Sequence, residues 1–452
     1  MASLGIDGLV SGLDTTALIN SLMAAEAAPQ TLLKSKQTST TTLATALQAL
    51  NARVASLAES ATKAAKVDSW NATAATASAT SVTATTTTGA QPTALTFTVD
   101  AVAQSQVSLT QPFKDLVDLT GGASTLTIRK QDGTLTEIAV GTDAAATARA
   151  ISSSSAGVSA VAVTVNGETR LQLTGTSTGA SGEFTVLAGT KAQVEAGTTT
   201  PIGLTGTRTA QDAKITLWPG SGAAQQVSSA TNAFTDVLAG TSITVSKLET
   251  DPVTLTVATD TAALTKLASD LVGSLGVVLS EISSRSAATT TTTADGRTAV
   301  TGGLFSGDSA VRGIQQQLAT AASYGVDGVS PSSVGITVDR YGAFTFDDEV
   351  FAAALAADPE KVQKVVAGLA QRVADVATGT SDKIDGTLTL KIKGQQGMVT
   401  DLGKQIEEWD RRLAMRREAL AATYSALEVT LSGLNSQSSW LSSQLASLST
   451  SS

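Results

Sequence analysis

The residues best suited to chemistry in this chain are carboxylates, and the densest group is FDDEV at 346–350. Asp347, Asp348 and Glu349 are adjacent in sequence, and no further ligand stands near them at the spacing of a metal or acid–base site. Short acidic side chains also accept hydrogen bonds from the free N–H groups of a first helical turn. The pattern therefore predicts that Asp347 and Asp348 cap a helix. A carboxylate-based hydrolase is the alternative.

Composition excludes most other catalytic sets. The 452 residues include no Cys and no His, which excludes disulfides, Cys/His zinc sites and His-dependent triads. The Gly-rich segment GTSTGASG at 175–182 lacks the lysine and the spacing of a phosphate-binding loop. Aromatic residues make up only 3% of the chain, which is a poor match for an aromatic-lined ligand pocket. The sequence predicts no enzyme, no metal and no cofactor.

One dense basic cluster stands out against a net charge of −9. It lies in DRRLAMRRE at 410–418 and contains Arg411, Arg412, Arg416 and Arg417. The acidic balance argues against nucleic acid as a partner, because phosphate neutralisation needs a basic face. Two interpretations of the cluster stay open: a solvated helix face, or a patch between protomers that sets register and orientation.

The N-terminal stretch GIDGLVSGLDTTALINSLMAAE at 5–26 begins with glycines and becomes an amphipathic helix. It has no basic residue before Lys34, and Asp and Gly interrupt its apolar runs. It therefore lacks the pattern of a cleaved signal peptide and that of a membrane span. Asp14 is placed as an N-cap ahead of an apolar stripe. We expect that stripe to bind a partner; it consists of Leu18, Ile19, Leu22 and Met23.

Apolar residues at heptad spacing mark both ends of the chain as helical. The first seam follows a break predicted at Pro29 and consists of Leu43, Leu47, Leu50, Val54, Leu57 and Ala61. The second seam, interrupted by a stutter between 416 and 424, consists of Leu402, Ile406, Trp409, Leu413, Leu427, Leu431, Leu434, Leu441, Leu445 and Leu448. Trp409 and Trp440 are expected to pack rather than to stack on a ligand. The two seams predict an antiparallel pairing of the chain ends, with two unrelated surface helices as the alternative.

Between the seams the hydrophobic period changes to two, which is typical of strands. Strands are predicted at 94–102, 124–130, 157–165, 169–175, 182–188, 214–219, 241–247 and 253–260. A helix from Thr261 to about Ser284 follows, and the Thr/Gly run at 287–303 is predicted to be an exposed, mobile loop. A helix starts within 303–318, and 335–366 supplies a hairpin, with Tyr341 and Gly342 at its turn, and then a helix.

These elements predict an α+β fold. A terminal α-helical coiled-coil leg is formed by both chain ends, and β-rich head domains are inserted between them. The predicted domains are 1–68 for the N-terminal leg, 69–105 and 251–387 for the two parts of head domain 1, 106–250 for an inserted β-rich head domain 2, and 388–452 for the C-terminal leg.

Motifs along the chain resemble, in order, those of flagellar filament cap proteins, the hook-associated protein 2 or FliD family. The start is similar to the family's Ser-Gly-Leu-Asp turn and amphipathic helix through Ser11, Gly12, Leu13, Asp14, Leu22 and Met23, with Glu26 before Pro29. Further resemblances lie at 99–106, 146–179, 231–245, 302–318, 334–362 and 434–445. One departure lies in the helix at 265–282, where aromatic residues usual in the family are missing.

The resemblance implies a non-enzymatic assembly protein. It implies export through the flagellar secretion channel without a cleaved signal peptide, and a homo-oligomeric ring of about five protomers at the distal filament tip. Flagellin, hook–filament junction proteins and an export chaperone are the implied partners. A secondary role in adhesion stays open. The alternative function is that of another flagellar axial protein, flagellin or a hook–filament junction protein.

Overall fold

A computed structural model describes residues 12, 14–292 and 295–449, with side chains up to residue 446. The helices are α1 (Thr15–Glu26), α2 (Ala28–Ala65), α3 (Leu116–Thr120), α4 (Ala144–Ser153), α5 (Lys191–Glu195), α6 (Thr261–Ser286), α7 (Ser309–Ser323), α8 (Asp348–Ala357), α9 (Pro359–Ser381) and α10 (Thr387–Ser449).

The strands are short and rich in Thr, Val and Ala. They are β1 (Thr73–Ala77), β2 (Val82–Thr86), β3 (Thr93–Ala101), β4 (Val107–Thr110), β5 (Thr125–Lys130), β6 (Leu135–Ala139), β7 (Val158–Val165), β8 (Glu168–Gly175), β9 (Phe184–Ala188), β10 (Leu204–Arg208), β11 (Ala213–Leu217), β12 (Gln225–Ser229), β13 (Ala233–Leu238), β14 (Thr241–Val245), β15 (Glu249–Thr259), β16 (Thr289–Thr292), β17 (Thr298–Thr301), β18 (Ile336–Val338) and β19 (Phe344–Phe346).

The chain forms two compact units, Met1–Val67 with Thr265–Ser452, and Asp68–Leu264. The first unit is helical at both chain ends and the second is β-rich, so the predicted α+β class with a β-rich insertion between terminal helices is confirmed.

The helical unit is built around α2. Its apolar seam is fully buried at Leu47, Leu50, Val54 and Leu57. Helices α9 and α10 both pack against α2, and α9 contributes a buried stripe that includes Val366. The burial of this seam supplies most of the driving force that holds these helices together.

Two further contacts tie the remaining helices to this core. Arg53 of α2 lies 3.5 Å from Glu281 of α6, which is 11% exposed and also pairs with Arg285 on its own helix. Asp308 caps α7 by accepting from the N–H groups of its first turn. The same carboxylate lies 2.7 Å from the Lys391 ammonium of α10, so the start of α7 is fixed to the long C-terminal helix.

This packing corrects the predicted boundary of head domain 1, which assigned 251–387 to the head. Only β15 and the start of α6 belong to the β-rich unit, and the chain from Thr265 onward belongs to the unit of the terminal helices. The physical reason is the apolar face of α9, which needs the facing seam of α2 for burial.

The β-rich unit contains two separate hydrophobic cores. The first lies between a five-stranded sheet of order β1-β15-β3-β11-β12 and a three-stranded sheet of order β13-β14-β2, and includes Phe97, Ile215 and Ile243. The second lies between the sheets β10-β4-β8-β7 and β6-β5-β9 with α4, and includes Ile128 and Leu171.

The second core defines the inserted lobe, residues 105–208. Its two connections to the first core meet at Gln104 and Gln211, whose backbones form an antiparallel bridge. The predicted end of the inserted domain at 250 is therefore too late. Strand β11 pairs with β3, and β14 pairs with β2, so residues 213–245 complete the sheets of the first core.

Residues 261–303 contain the long helix α6 and a Thr/Gly run. Helix α6 is long and apolar enough to cross a membrane by length and composition alone, but it serves as a core helix, with Leu271, Leu275 and Ile282 buried in the protein. The Thr/Gly run after it contains the exposed hairpin β16–β17 rather than only a loop, because consecutive threonines favour extended backbone.

Candidate assembly surface

The N-terminal motif ends in a capped helix. Asp14 accepts a hydrogen bond of 2.7 Å from the N–H of Ala17, which satisfies one free donor of α1. Gly12 adopts a φ of +69°, a left-handed conformation that suits glycine. The motif residues Ser11 and Leu13 lie outside the described residues.

The predicted apolar stripe of α1 is partly buried and partly exposed. Ile19 is buried and Met23 is half-buried where α1 packs against α10. Leu18 and Leu22 are 41% and 39% exposed. Part of the apolar surface of α1 is therefore buried against the rest of the chain, and the other part is exposed to solvent.

Polar contacts show that the two chain ends run antiparallel. As the residue numbers increase along α1 and α2, the numbers of the residues that they contact on α10 decrease. The pairs are Asn20 with Arg417, Glu26 with Arg416, Gln30 with Asp410, and Gln37 with the carbonyl of Val399. Ile406 and Leu402 of the second seam are buried beside these contacts, and Trp409 and Leu413 are half-buried.

The register of these contacts corrects the predicted pairing of the two seams. These residue pairs place 402–413 of α10 opposite the first part of α2, before the seam that starts at Leu43. The seam of α2 lies instead against α9 and the start of α10, where Leu388 and Ile392 are buried. Leu43 itself is only half-buried.

The arginines of the basic cluster have different surroundings, although all four are exposed. The Arg416 Nε lies 3.0 Å from the Glu26 carboxylate, and Arg417 donates to the Asn20 side chain at 3.0 Å. The Arg412 guanidinium lies 5.2 Å from the centre of the Trp409 ring. Arg411 is exposed as well.

Beyond the basic cluster, α10 carries apolar side chains on an exposed helix. Leu431 is half-buried, and the exposed fractions of the other leucines range from 44% to 66% for Leu427, Leu434, Leu441 and Leu445. The side chain of Leu448 lies outside the described residues. The sequence from 429 onward has no charged residue. A helix of this kind has an apolar face that is available to other chains.

The carboxylate cluster acts as a helix cap. Asp347 accepts from the N–H groups of Glu349 and Val350 at 3.1 Å and 3.0 Å, and Asp348 begins α8. No group of three or more acidic residues that could hold a metal ion occurs in the described part of the chain. Asp382 lies in the turn between α9 and α10. Backbone N–H groups donate to its carboxylate, first that of Ile384 and then that of Asp385, and lower its pKa.

Sequence reasoning missed the polar residues that fix the two chain ends. Gln30 is only 6% exposed and binds Asp410, and Asn20 binds Arg417. Their signal in the sequence is weak, because a polar residue within an amphipathic helix normally points to solvent. Glu26, which the resemblance singled out, and Arg416 and Arg417 of the basic cluster were noted beforehand, but their pairing across the two chain ends was not.

Comparison with known families decides the assignment. The profile described as "Flagellar hook-associated protein 2 C-terminus" matches residues 210–436, and the one described as "Flagellar hook-associated protein 2 N-terminus" matches 11–106. The chain belongs to the flagellar hook-associated protein 2, or FliD, family. No curated protein matches the chain.

One solved structure agrees in fold, and a second is similar over part of the chain. The crystal structure of the D1–D2–D3 domains of the flagellar cap protein FliD from Escherichia coli is 24% identical, with a TM-score of 0.60, over 77% of this chain and 99% of that one. FliD (HAP2) from Pseudomonas aeruginosa PAO1 is 23% identical over 46% of this chain and 97% of that one, with a TM-score of 0.35. The fold of the Escherichia coli structure thus agrees with the assignment of this chain to the FliD family.

Proposed function

We propose that this chain forms a homo-oligomeric ring at the distal tip of the bacterial flagellar filament, outside the cell, and promotes the folding and insertion of flagellin beneath it. The family's cap role and the leg of α1, α2 and α10 support this proposal. A ring of about five copies is expected by family resemblance, held by heterologous contacts that close on themselves.

The observation that carries the proposal is the C-terminal part of α10. An exposed, uncharged helix with leucines at heptad spacing is unstable in water on its own, and it lies past the polar contacts that pair α1 with α10. A bundle of the same segments from neighbouring copies, or the filament subunits below, would bury those leucines. The N-terminal motif from Ser11 to Met23 is proposed to take part in the same assembly.

The other implied partners belong to this proposal as well. Hook–filament junction proteins would receive the ring before filament growth starts. An export chaperone would cover the apolar terminal helices before passage through the flagellar secretion channel, which we propose as the route without a cleaved signal peptide.

Substitution of the exposed leucines tests the proposal. In a strain that lacks its own cap protein, the triple variant Leu434→Ser, Leu441→Ser, Leu445→Ser should fail to restore filaments and should no longer form a ring. The matched control replaces exposed apolar residues elsewhere, Val117→Ser, Leu248→Ser, Val300→Ser, and should restore filaments. Normal filaments with the leucine variant would show that this segment is not needed for the proposed function. Failure of the unsubstituted chain to restore filaments would contradict the proposed function itself.

A further inference from the structure

The inserted lobe has an open sheet edge along β7. The strand order β10-β4-β8-β7 leaves β7 with one neighbour, β8, which pairs with it from Val158 to Val165. At Ala160 the free side is closed by the Ser152 hydroxyl, which accepts from the Ala160 N–H at 2.9 Å and donates to its carbonyl at 3.2 Å. Backbone groups alternate in a strand, so Ala162 and Thr164 direct their N–H and C=O groups to the same free side.

Apart from the contact with α4 at Ala160, β7 lacks the features that normally protect an edge strand. Its sequence, VSAVAVTV, contains no charged residue and no proline, and it pairs with β8 without a bulge. Its outward face presents Val161, Val163 and Val165, whose exposed fractions lie between 43% and 62%. A straight, uncharged edge with exposed β-branched residues is a template for another strand.

We infer that this edge pairs antiparallel with the same edge of a second copy of this chain. A two-fold axis at Val163 sets Val163 opposite Val163 of the second copy, and Val161 opposite its Val165. Ala162 then stands opposite Thr164 of the second copy, and the two exchange both main-chain hydrogen bonds on each side of the axis. The paired stretch ends where Ser152 closes the edge on one copy and the turn at Asn166 and Gly167 begins on the other.

Charge complementarity favours a second copy as the occupant. Arg149 of α4 lines a cleft of about 640 Å³ beside β7, and Glu168 follows the β7–β8 turn. Neither makes an ion pair within the described residues, and both are exposed. The two-fold pairing carries the turn of each copy to the cleft of the other, so Arg149 and Glu168 of opposite copies approach each other twice.

This contact goes beyond the proposed cap. A two-fold interface uses the same patch on both chains and is complete after two copies, whereas a ring of more than two copies needs two different patches. The β7 contact therefore joins heads in pairs, between rings or before a ring forms, and it does not depend on the leg.

Single cysteines in the full chain, which has none of its own, test the register. Cα atoms in a non-hydrogen-bonded antiparallel pair lie within disulfide range. Under mild oxidation Val163→Cys should give a disulfide-linked dimer, and an equal mixture of Val161→Cys and Val165→Cys should give the mixed dimer. The control Val117→Cys, exposed in the same lobe, should give about tenfold less, as expected for random collision. Equal yields from Val163→Cys and Val117→Cys would overturn the inference.

Charge exchange supplies the second test. Arg149→Glu and Glu168→Arg should each reduce head-to-head dimer in sedimentation of the full chain, and the double variant should restore it. Val163→Lys places like charges opposite each other and should weaken dimerisation about tenfold, with ring formation and filament growth unchanged. If the unsubstituted chain forms the dimer but does not restore filaments, the cap proposal alone fails. An unchanged dimer in all four variants overturns the β7 contact.

Discussion

Individual polar side chains determine how the N-terminal helix lies on the C-terminal one. Because helix α1 contacts α10 over a short length, the Glu26–Arg416 and Asn20–Arg417 contacts largely determine the orientation of α1. Both members of the ion pair are partly exposed, with side-chain fractions of 38% and 56%. Solvent screening therefore limits the pair to about 0–1 kcal/mol, enough to bias a helix that opens locally but not to hold the fold.

Reversal of Arg416 should loosen α1 without unfolding the protein. In Arg416→Glu, amide hydrogen exchange over 15–26 should become up to about fivefold faster, since like charges then face each other. The double variant Glu26→Arg, Arg416→Glu should restore the original rate. Arg411→Glu, an exposed change on the same helix, is the control. Equal acceleration by Arg411→Glu would show that general charge, and not this pair, holds α1.

A single carboxyl in the turn between α9 and α10 should titrate below its usual range. Backbone N–H donation from Ile384, then Asp385, lowers the pKa of Asp382 from 3.8. A lowered folded-state pKa gives stability that is present above 3.8 and is lost as pH falls through the folded value. The stability difference between the protein and Asp382→Asn should thus shrink under acidic conditions, as measured by urea unfolding. An equal stability difference at neutral and at acidic pH would contradict this expectation.

At the scale of elements, the seam of α2 is the centre of the helical unit. Leu50 is fully buried, whereas Leu32 on the same helix is 72% exposed. We expect Leu50→Ala to lower the free energy of unfolding by about 2–5 kcal/mol, because it removes buried apolar surface and leaves a cavity. Leu32→Ala should change it by less than about 0.5 kcal/mol. Thermal and urea unfolding measure both, and similar losses would mean that this seam is not the core.

The elements differ in how well the sequence predicts them. The α2 seam, α6 and the β7–β8 hairpin follow from periodicity and turn residues and lie where expected. Strands such as β1, β2 and β12 were missed, because Thr- and Ser-rich segments show little hydrophobic alternation. The partner of the α2 seam could not be predicted either: heptad spacing identifies an apolar face but not the helix that covers it, and here α9 covers it in place of the C-terminal seam.

At the scale of the whole molecule, assembly and folding should be separable. The exposed end of α10 contributes little to either described core. Removal of 429–452 should therefore leave the circular dichroism of the β-rich unit and its unfolding transition unchanged, while filament growth is lost. Removal of 1–40 takes away Gln30 and Gln37, which bind α10, and should destabilise the helical unit but not the β-rich one. Loss of β structure in both truncations would contradict this division.

The central claim is that this chain caps the growing filament, and electron microscopy of filament tips tests it most directly. Filaments grown in a cap-deficient strain that expresses the full chain should each end in a ring of this protein, and flagellin should be retained in the filaments. The 429–452 truncation should give uncapped hooks with flagellin released to the medium. Filaments of normal length whose tips lack this protein would contradict the account.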